Sequence, residues 1–453
     1  MNYDLVLKGR CVLSTGIVDG CWIAVADGRI AALGLGAPPA AAKFIDVGAD
    51  LIVPGLVDGQ THATSYAGLP GFEATSRSAL AGGITTIVDM PYDNPDPLNT
   101  PARLEAKIAA IHAHSHCDVA LYGTVAPGQG VAGMAALAEA GVCAFKISSI
   151  ESHPVRFPRL PADETLEILK ASVALGLPVG LHNEDQEIVR AHIARHREAG
   201  LTAPRYHEPS RPEAAELSAT AQFLELGAAT GAHAHIVHIS TPKGFAMVRD
   251  YSARGARATG EICVHYLHFD NDRDIARLGA RMKVSPPLRS GYIDALWQAV
   301  EANEVAFISS DHSSWPVDNK LVPSIFDAGA GIPGLETLGP SFYTDAEKRF
   351  GPDGAVVRLV EHVSRRPAAF FGLWPRKGEI RVGADADLAV LRRGERRFDA
   401  SRTHDGLNWS PYDGETFSIA VLMTLRRGAV VFEDGRITSA PGSGRFIPRT
   451  AHP

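Results

Sequence analysis

Between residues 51 and 373, short apolar runs alternate with longer amphipathic stretches, and the alternation recurs eight times. The runs fall at 51–57, 84–90, 118–122, 142–147, 178–182, 234–239, 256–264 and 305–311. Each has the length of a strand, and the chain that follows it can return across a sheet as a helix. The pattern therefore reads as successive βα units around a parallel sheet. Eight such units favour a closed TIM (β/α)8 barrel over an open doubly wound sheet.

The two ends have a different texture. Leu5-Val6-Leu7, the run 22–26, an Asp27-Gly28 turn and the run 29–33 read as a β hairpin pattern, and similar short strands return at 386–391, 421–425 and 430–432. These ends are expected to join in one small composite β-sandwich, from residues 1–50 plus 374–453, beside a barrel domain at 51–373. No repeat of fixed period is present, and 36–42 reads as a small-residue loop.

A chain of 453 residues, 45% hydrophobic and 21% charged, can bury a large core. Its formal net charge of −7 gives no basic footprint for nucleic acid or an anionic membrane, so a small-molecule partner is expected. The start Met1-Asn2-Tyr3-Asp4 lacks the cationic and apolar regions of a signal peptide, and no long apolar segment spans a bilayer. The expected compartment is the cytoplasm. Cys11, Cys21, Cys117, Cys143 and Cys263 are odd in number and widely spaced, as suits reduced core thiols.

Ionisable residues at the ends of apolar strands are costly unless they have a task, and in this fold those ends form the active-site face. Asp58-Gly59-Gln60-Thr61-His62 follows the first run, and Lys146, His182, His238 and Asp311 end the fourth, fifth, sixth and eighth. The period of two puts Asp58, Gln60 and His62 on one face. Histidines and a carboxylate converging on one point make a site for zinc or a similar metal. Lys146 as an ammonium has no lone pair to offer. A buried lysine can instead lose its proton and react with carbon dioxide, giving a carbamate whose two oxygens can bridge two metals.

Taken alone, a strand-end histidine is more often a structural residue, and a strand-end lysine usually reaches out to water. Joint placement on one face reverses that reading. His112, His114, His116, His233 and His235 precede strands instead, which assigns them to the opposite end as solvated or structural residues.

At these residues the sequence resembles the cyclic amidohydrolases, the group of allantoinase, dihydropyrimidinase and hydantoinase, with dihydroorotase more distant. The resemblance runs through Pro54-Gly55-Leu56-Val57-Asp58, Gly82-Gly83-Ile84-Thr85-Thr86, Phe145-Lys146, His182-Asn183-Glu184, His238-Ile239-Ser240 and Ser285-Pro286-Pro287-Leu288-Arg289. It continues in Ser310-Asp311-His312, Gly334-Leu335-Glu336 and Gly383-Ala384-Asp385-Ala386-Asp387-Leu388. The order of these strings is specific where each alone is weak. His265-Tyr266, Ser313 and Ser410-Pro411-Tyr412 bring the allantoinase-like branch nearest. Ala63-Thr64 stand where dihydroorotases carry an arginine, and Val264 stands where many allantoinase-like chains carry proline.

The resemblance implies a carbamylated Lys146 bridging two metals, with His182 and His238 on one and His62 and Asp311 on the other. It implies Ser285 near the substrate ring, together with backbone groups near Gly331, and it leaves His265 as a substrate-binding, second-shell or structural residue. One position departs. Gln60 stands where the family has a histidine, and a neutral amide oxygen is a poorer zinc ligand than imidazole.

These observations imply a metal-dependent hydrolase that opens a cyclic amide or ureide ring, of allantoinase-like or hydantoinase/dihydropyrimidinase-like type. Asp311 is expected to be its general base. The expected cofactors are one or two Zn2+ ions, with Mn2+ or Co2+ as substitutes, and the first form considered is one tight ion at Lys146, His182 and His238. The family resemblance also implies a homo-oligomer. The alternative of a different class is a non-catalytic barrel relative acting as a structural or interaction protein. A metal-free scaffold, however, has no physical need for the five residues together.

Overall fold

The computed structural model describes residues 3–450. Eight parallel strand positions close into a ring. In order they are Leu56–His62, Ile84–Asp89, Asp118–Gly123, Ala144–Ser148, Val179–His182, Ala234–Ile236, Ala258–Gly260 with Ile262–Cys263, and Ile308–Ser309 with His312–Ser313. Each pairs with the next, and the eighth closes on the first through His312↔Thr61 and Ser313↔His62. The second to fifth strands are buried along their whole length, because helices cover the outside while side chains fill the inside.

The first strand begins later than the apolar run suggests. Residues 51–54 end the long strand Ala41–Pro54, which pairs antiparallel with Leu388–Arg397 in the sheet made by the chain ends. Gly55 donates its N–H to Asp387 O and lets the chain pass from one sheet to the other. Both strands are buried here, so one unbroken apolar run conceals two elements. The seventh and eighth strands are each interrupted, and the second interruption holds Asp311 with a φ of 48°.

The terminal strands form one eight-stranded, mostly antiparallel sheet around its own core of Leu5, Leu7, Ile23, Val25, Leu388, Val390 and Leu425. The C-terminal tail then leaves this sheet. Arg445 O accepts from Val119 N, and Ile447 N donates to Val119 O, so residues 445–447 lie against the third barrel strand. All five cysteines are buried and unpaired as expected.

A buried ion cluster ties the barrel to the terminal sheet. Lys377 Nζ lies 2.7 Å from Asp118, 2.9 Å from Asp385 and 2.6 Å from Asp387, and Arg427 also pairs with Asp118. Three clustered carboxylates could suggest a cation site, but the Lys377 ammonium occupies it. Despite burial, Lys377 and Arg427 hold the Asp118 carboxyl down at about 2. Lys377→Met should leave Asp387 without an ion partner, and Asp118 and Asp385 with only Arg427 and Arg376, and breaking such a buried pair costs about 3–5 kcal/mol. Denaturant unfolding should show that loss, whereas an unchanged midpoint would mean that Arg427 and Arg376 suffice to neutralise the cluster.

Candidate metal centre and active site

The C-terminal strand ends open onto a cavity of about 460 Å³. His62, Lys146, His182, His238 and Asp311 line it together, from the first, fourth, fifth, sixth and eighth strand positions. A larger and more open groove beside His268, Asp270 and Asp345 is bordered by charges already paired with one another and shows no comparable convergence.

The two histidines on neighbouring strands define the centre. His182 Nε2 lies 2.8 Å from Glu184 Oε2, and His182 Nδ1 lies 2.9 Å from His238 Nε2. An ionised carboxylate can only accept, so the His182 proton sits on Nε2 and its Nδ1 lone pair faces the other imidazole. Against the cost of burial, Arg211 and the His182 N–H hold Glu184 well below the usual carboxylate range. Burial pushes both histidines below their ordinary value, His238 far below, which keeps their nitrogens available as donors of electron pairs.

Lys146 stands beside them, fully buried, and its Nζ makes no hydrogen bond or ion pair among the described residues. Burial outweighs the nearby Asp311 and Glu261 charges and pushes it down to about 8, so a reactive neutral amine is accessible near neutral pH.

Asp311 and His238 both have left-handed backbone, at φ 48° and 42°. Most of the other non-glycine residues in that region are asparagine or aspartate at turns, which tolerate it. A histidine held there marks backbone strain at a site. Asp58 supports this geometry from beneath. Its carboxylate accepts the Ser310 N–H at 2.8 Å, the Ser310 hydroxyl at 2.6 Å and the Thr61 hydroxyl at 2.6 Å, joining the first strand to the turn that carries Asp311.

Gln60 Nε2 donates to Asp311 Oδ1 at 2.8 Å, and His62 Nε2 lies 3.4 Å from the same oxygen. Because the carboxylate must be the acceptor, the amide orientation is fixed, and Gln60 Oε1 is left buried without a partner. Despite burial, the His62 contact keeps Asp311 below the ordinary carboxylate value.

Ser285 and Gly331 also line the cavity. Ser285 Oγ is buried with no protein partner, as befits a group waiting for a ligand. The backbone of Gly331 itself is already engaged within the protein. Its N–H donates to Lys283 O at 3.0 Å, and its carbonyl accepts from Lys320 at 2.7 Å. Of the roles left open for His265, the structure does not support substrate contact, because it is buried behind the site and does not line the cavity. Its ring packs at a tilt against Tyr266, and burial pushes it down to about 4.

Of the five histidines set aside, none lines the cavity. His235 is packed inside the barrel against Phe307 and Phe370. The loops after the fourth and eighth strands do shape the wall, through Phe157, Arg156, Trp315 and residues 326–331. Tyr92 stacks on His62 and packs on Phe157, which meets His182 edge-on. The sequence reading gave no role to Glu184, Arg211, Lys283, Arg156 or Asp58. Only Glu184 and Asp58 carried a local signal, through their spacing from His182 and His62.

Residues 51–431 match the family described as the amidohydrolase family. Allantoinase of Rubrobacter xylanophilus is 36% identical over 98% of this chain and 97% of its own length. L-hydantoinase of Paenarthrobacter aurescens is 32% identical over 99% of this chain and 98% of its own. Among solved structures, L-hydantoinase (dihydropyrimidinase) from Arthrobacter aurescens superposes with a TM-score of 0.93 at 32% identity, covering 99% of this chain and all of that one. With the barrel closed, the strand-end residues gathered and relatives matched along the full length, the chain belongs to the amidohydrolase family.

Proposed function

We propose that this chain is a hydrolase that opens a cyclic amide or ureide ring, the class of substrate that its relatives' names describe. The observation that carries the proposal is the His182 and His238 pair, whose ring nitrogens face each other at 2.9 Å beside a buried lysine whose ammonium has no partner among the described residues. That donor set fits a cation. Lys146 as its carbamate, His182 and His238 would hold it, and nitrogen donors favour zinc, with manganese or cobalt able to substitute. A metal bound there supplies a water acidified from a pKa of about 15.7 toward about 7 and polarises the scissile carbonyl.

The chain's own residues do the rest. Asp311 has Oδ1 engaged by Gln60 and close to His62, while Oδ2 has no protein partner among the described residues and can take a proton from the attacking water. The same oxygen can return that proton to the leaving ring nitrogen. Ser285 Oγ can donate to a ring carbonyl from its unpartnered position. Tyr92 and Phe157 keep bulk water from the face carrying His62 and His182.

Gln60 argues for one tight cation over two. Its amide hydrogen is committed to Asp311, and only a neutral oxygen remains where imidazole would be the stronger ligand. Gln60→His should raise the metal content of purified protein from near one toward two per chain, read by elemental analysis after equilibration with limiting zinc. Two ions in the unaltered protein, with no gain in the variant, would show that Gln60 Oε1 already serves as a ligand.

A panel of hydantoins, dihydropyrimidines, allantoin and cyclic imides, assayed for ring-opened product, tests the function itself. At least one ring should open, and chelation should abolish the reaction with recovery on adding zinc or manganese. Metal-free protein that no metal activates toward any ring would support the non-catalytic alternative.

A further inference from the structure

The charges lining the cavity do not balance evenly. Glu151 and Asp327 at the rim are already paired, with Arg190 at 3.0 Å and Arg197 at 2.6 Å. Lys283 on the wall has no carboxylate within ion-pair distance among the described residues, and it is buried. Its ammonium donates to the Ile325 carbonyl at 2.7 Å and to the Ala328 carbonyl, which uses two of its three N–H groups. Arg211, also on the wall, has a single carboxylate partner, Glu184, which His182 shares. Burial and then the Arg211 charge push Lys283 down to about 7, the mark of an amine short of counter-charge. Arg156 at the mouth likewise has no carboxylate partner among the described residues, and its guanidinium donates only to the Ser65 carbonyl there.

We propose that the Lys283 and Arg211 corner receives an anionic substituent, a carboxylate carried on the substrate ring, and that Lys283 is the residue that selects for it. The inference rests on the reading of this cavity as a ring-opening site and narrows its substrate class. A lysine serving only to tie the 325–328 loop needs no more than its two carbonyl bonds. One placed on the wall of a substrate cavity, beside an arginine and with no carboxylate in ion-pair contact among the described residues, also carries a positive potential that a neutral ring would leave only partly compensated. A bound carboxylate would accept the remaining N–H and supply the missing charge.

The test compares 5-(carboxymethyl)hydantoin with its near-isosteric amide, 5-(carbamoylmethyl)hydantoin, on the metal-loaded protein and on Lys283→Gln. The glutamine keeps an amide donor for the carbonyls and removes the charge. Unaltered protein should favour the acid over the amide by roughly tenfold to a hundredfold in kcat/KM, the worth of about one charge-assisted hydrogen bond. In Lys283→Gln that ratio should fall toward one, and any loosening that slows both rings alike cancels in it. No preference in the unaltered protein, or a ratio unchanged in the variant, overturns the proposal while leaving the hydrolase intact. Should neither ring nor any other of the wider panel open, calorimetric binding of the same two compounds decides separately. Tighter binding of the acid that depends on Lys283 then upholds the anionic corner although the proposed function fails, and equal binding refutes both.

Discussion

Lys146→Ala is expected to strip the purified protein of its metal and to lower turnover by at least about 10³-fold, well beyond the roughly 10–100-fold cost of losing an outer hydrogen-bonding partner of a ligand. The reason lies in the chemistry of the donor. An ammonium cannot ligate a cation, and Lys146 is buried with no acid in ion-pair contact among the described residues, so its proposed carbamate is the one anionic oxygen group the fourth strand can offer. Alanine leaves a gap of about the right shape for a short carboxylic acid. Adding acetate or propionate should therefore restore part of both metal content and rate. Full metal retention in the alanine variant would refute the role, as would an unmodified amine in an active, metal-loaded crystal.

Asp311→Asn should keep the fold and lose about 10²–10⁴-fold in turnover, the usual worth of a positioned general base. Asparagine preserves the shape, and its amide oxygen can still accept from Gln60, so the link between the first and eighth strands survives. What it cannot do is take the proton that Oδ2 would accept. Metal content must be measured with the rate, because the family resemblance also makes Asp311 a ligand. Near-normal turnover at normal metal content would require another base, and no other acid of the wall lies as deep, Glu151 and Asp327 being exposed at the rim.

The reading of Asp311 and Lys146 from the chain alone rested on period and position. Strands buried on both faces give unbroken apolar runs, so an ionisable residue ending such a run stands out without any coordinates. Gln60 was legible for the same reason, since a strand's alternation puts positions 60 and 62 on one face. The same continuity hid the passage from the terminal sheet to the barrel at Gly55, because neither strand shows a polar face there. The role of His265 stayed open because it follows a short strand and opens a helix, where alternation no longer predicts direction.

The sequence by itself therefore determined the barrel, its composite companion sheet and the residues at the strand ends, since all of these follow from hydrophobic periodicity and local order along the chain. Only the tertiary structure decided how charges meet across distance. Arg211 reaches Glu184 from 27 residues away, Gln60 reaches Asp311 from 251, and Lys377 joins its near neighbours Asp385 and Asp387 to Asp118, 259 residues away on the third barrel strand. Whether a buried lysine is a staple, an ion partner or an amine with a lowered pKa depends on what its ammonium faces once burial has removed water. Lys320, Lys377 and Lys146 take these three parts in one chain, and nothing in their immediate sequence distinguishes them.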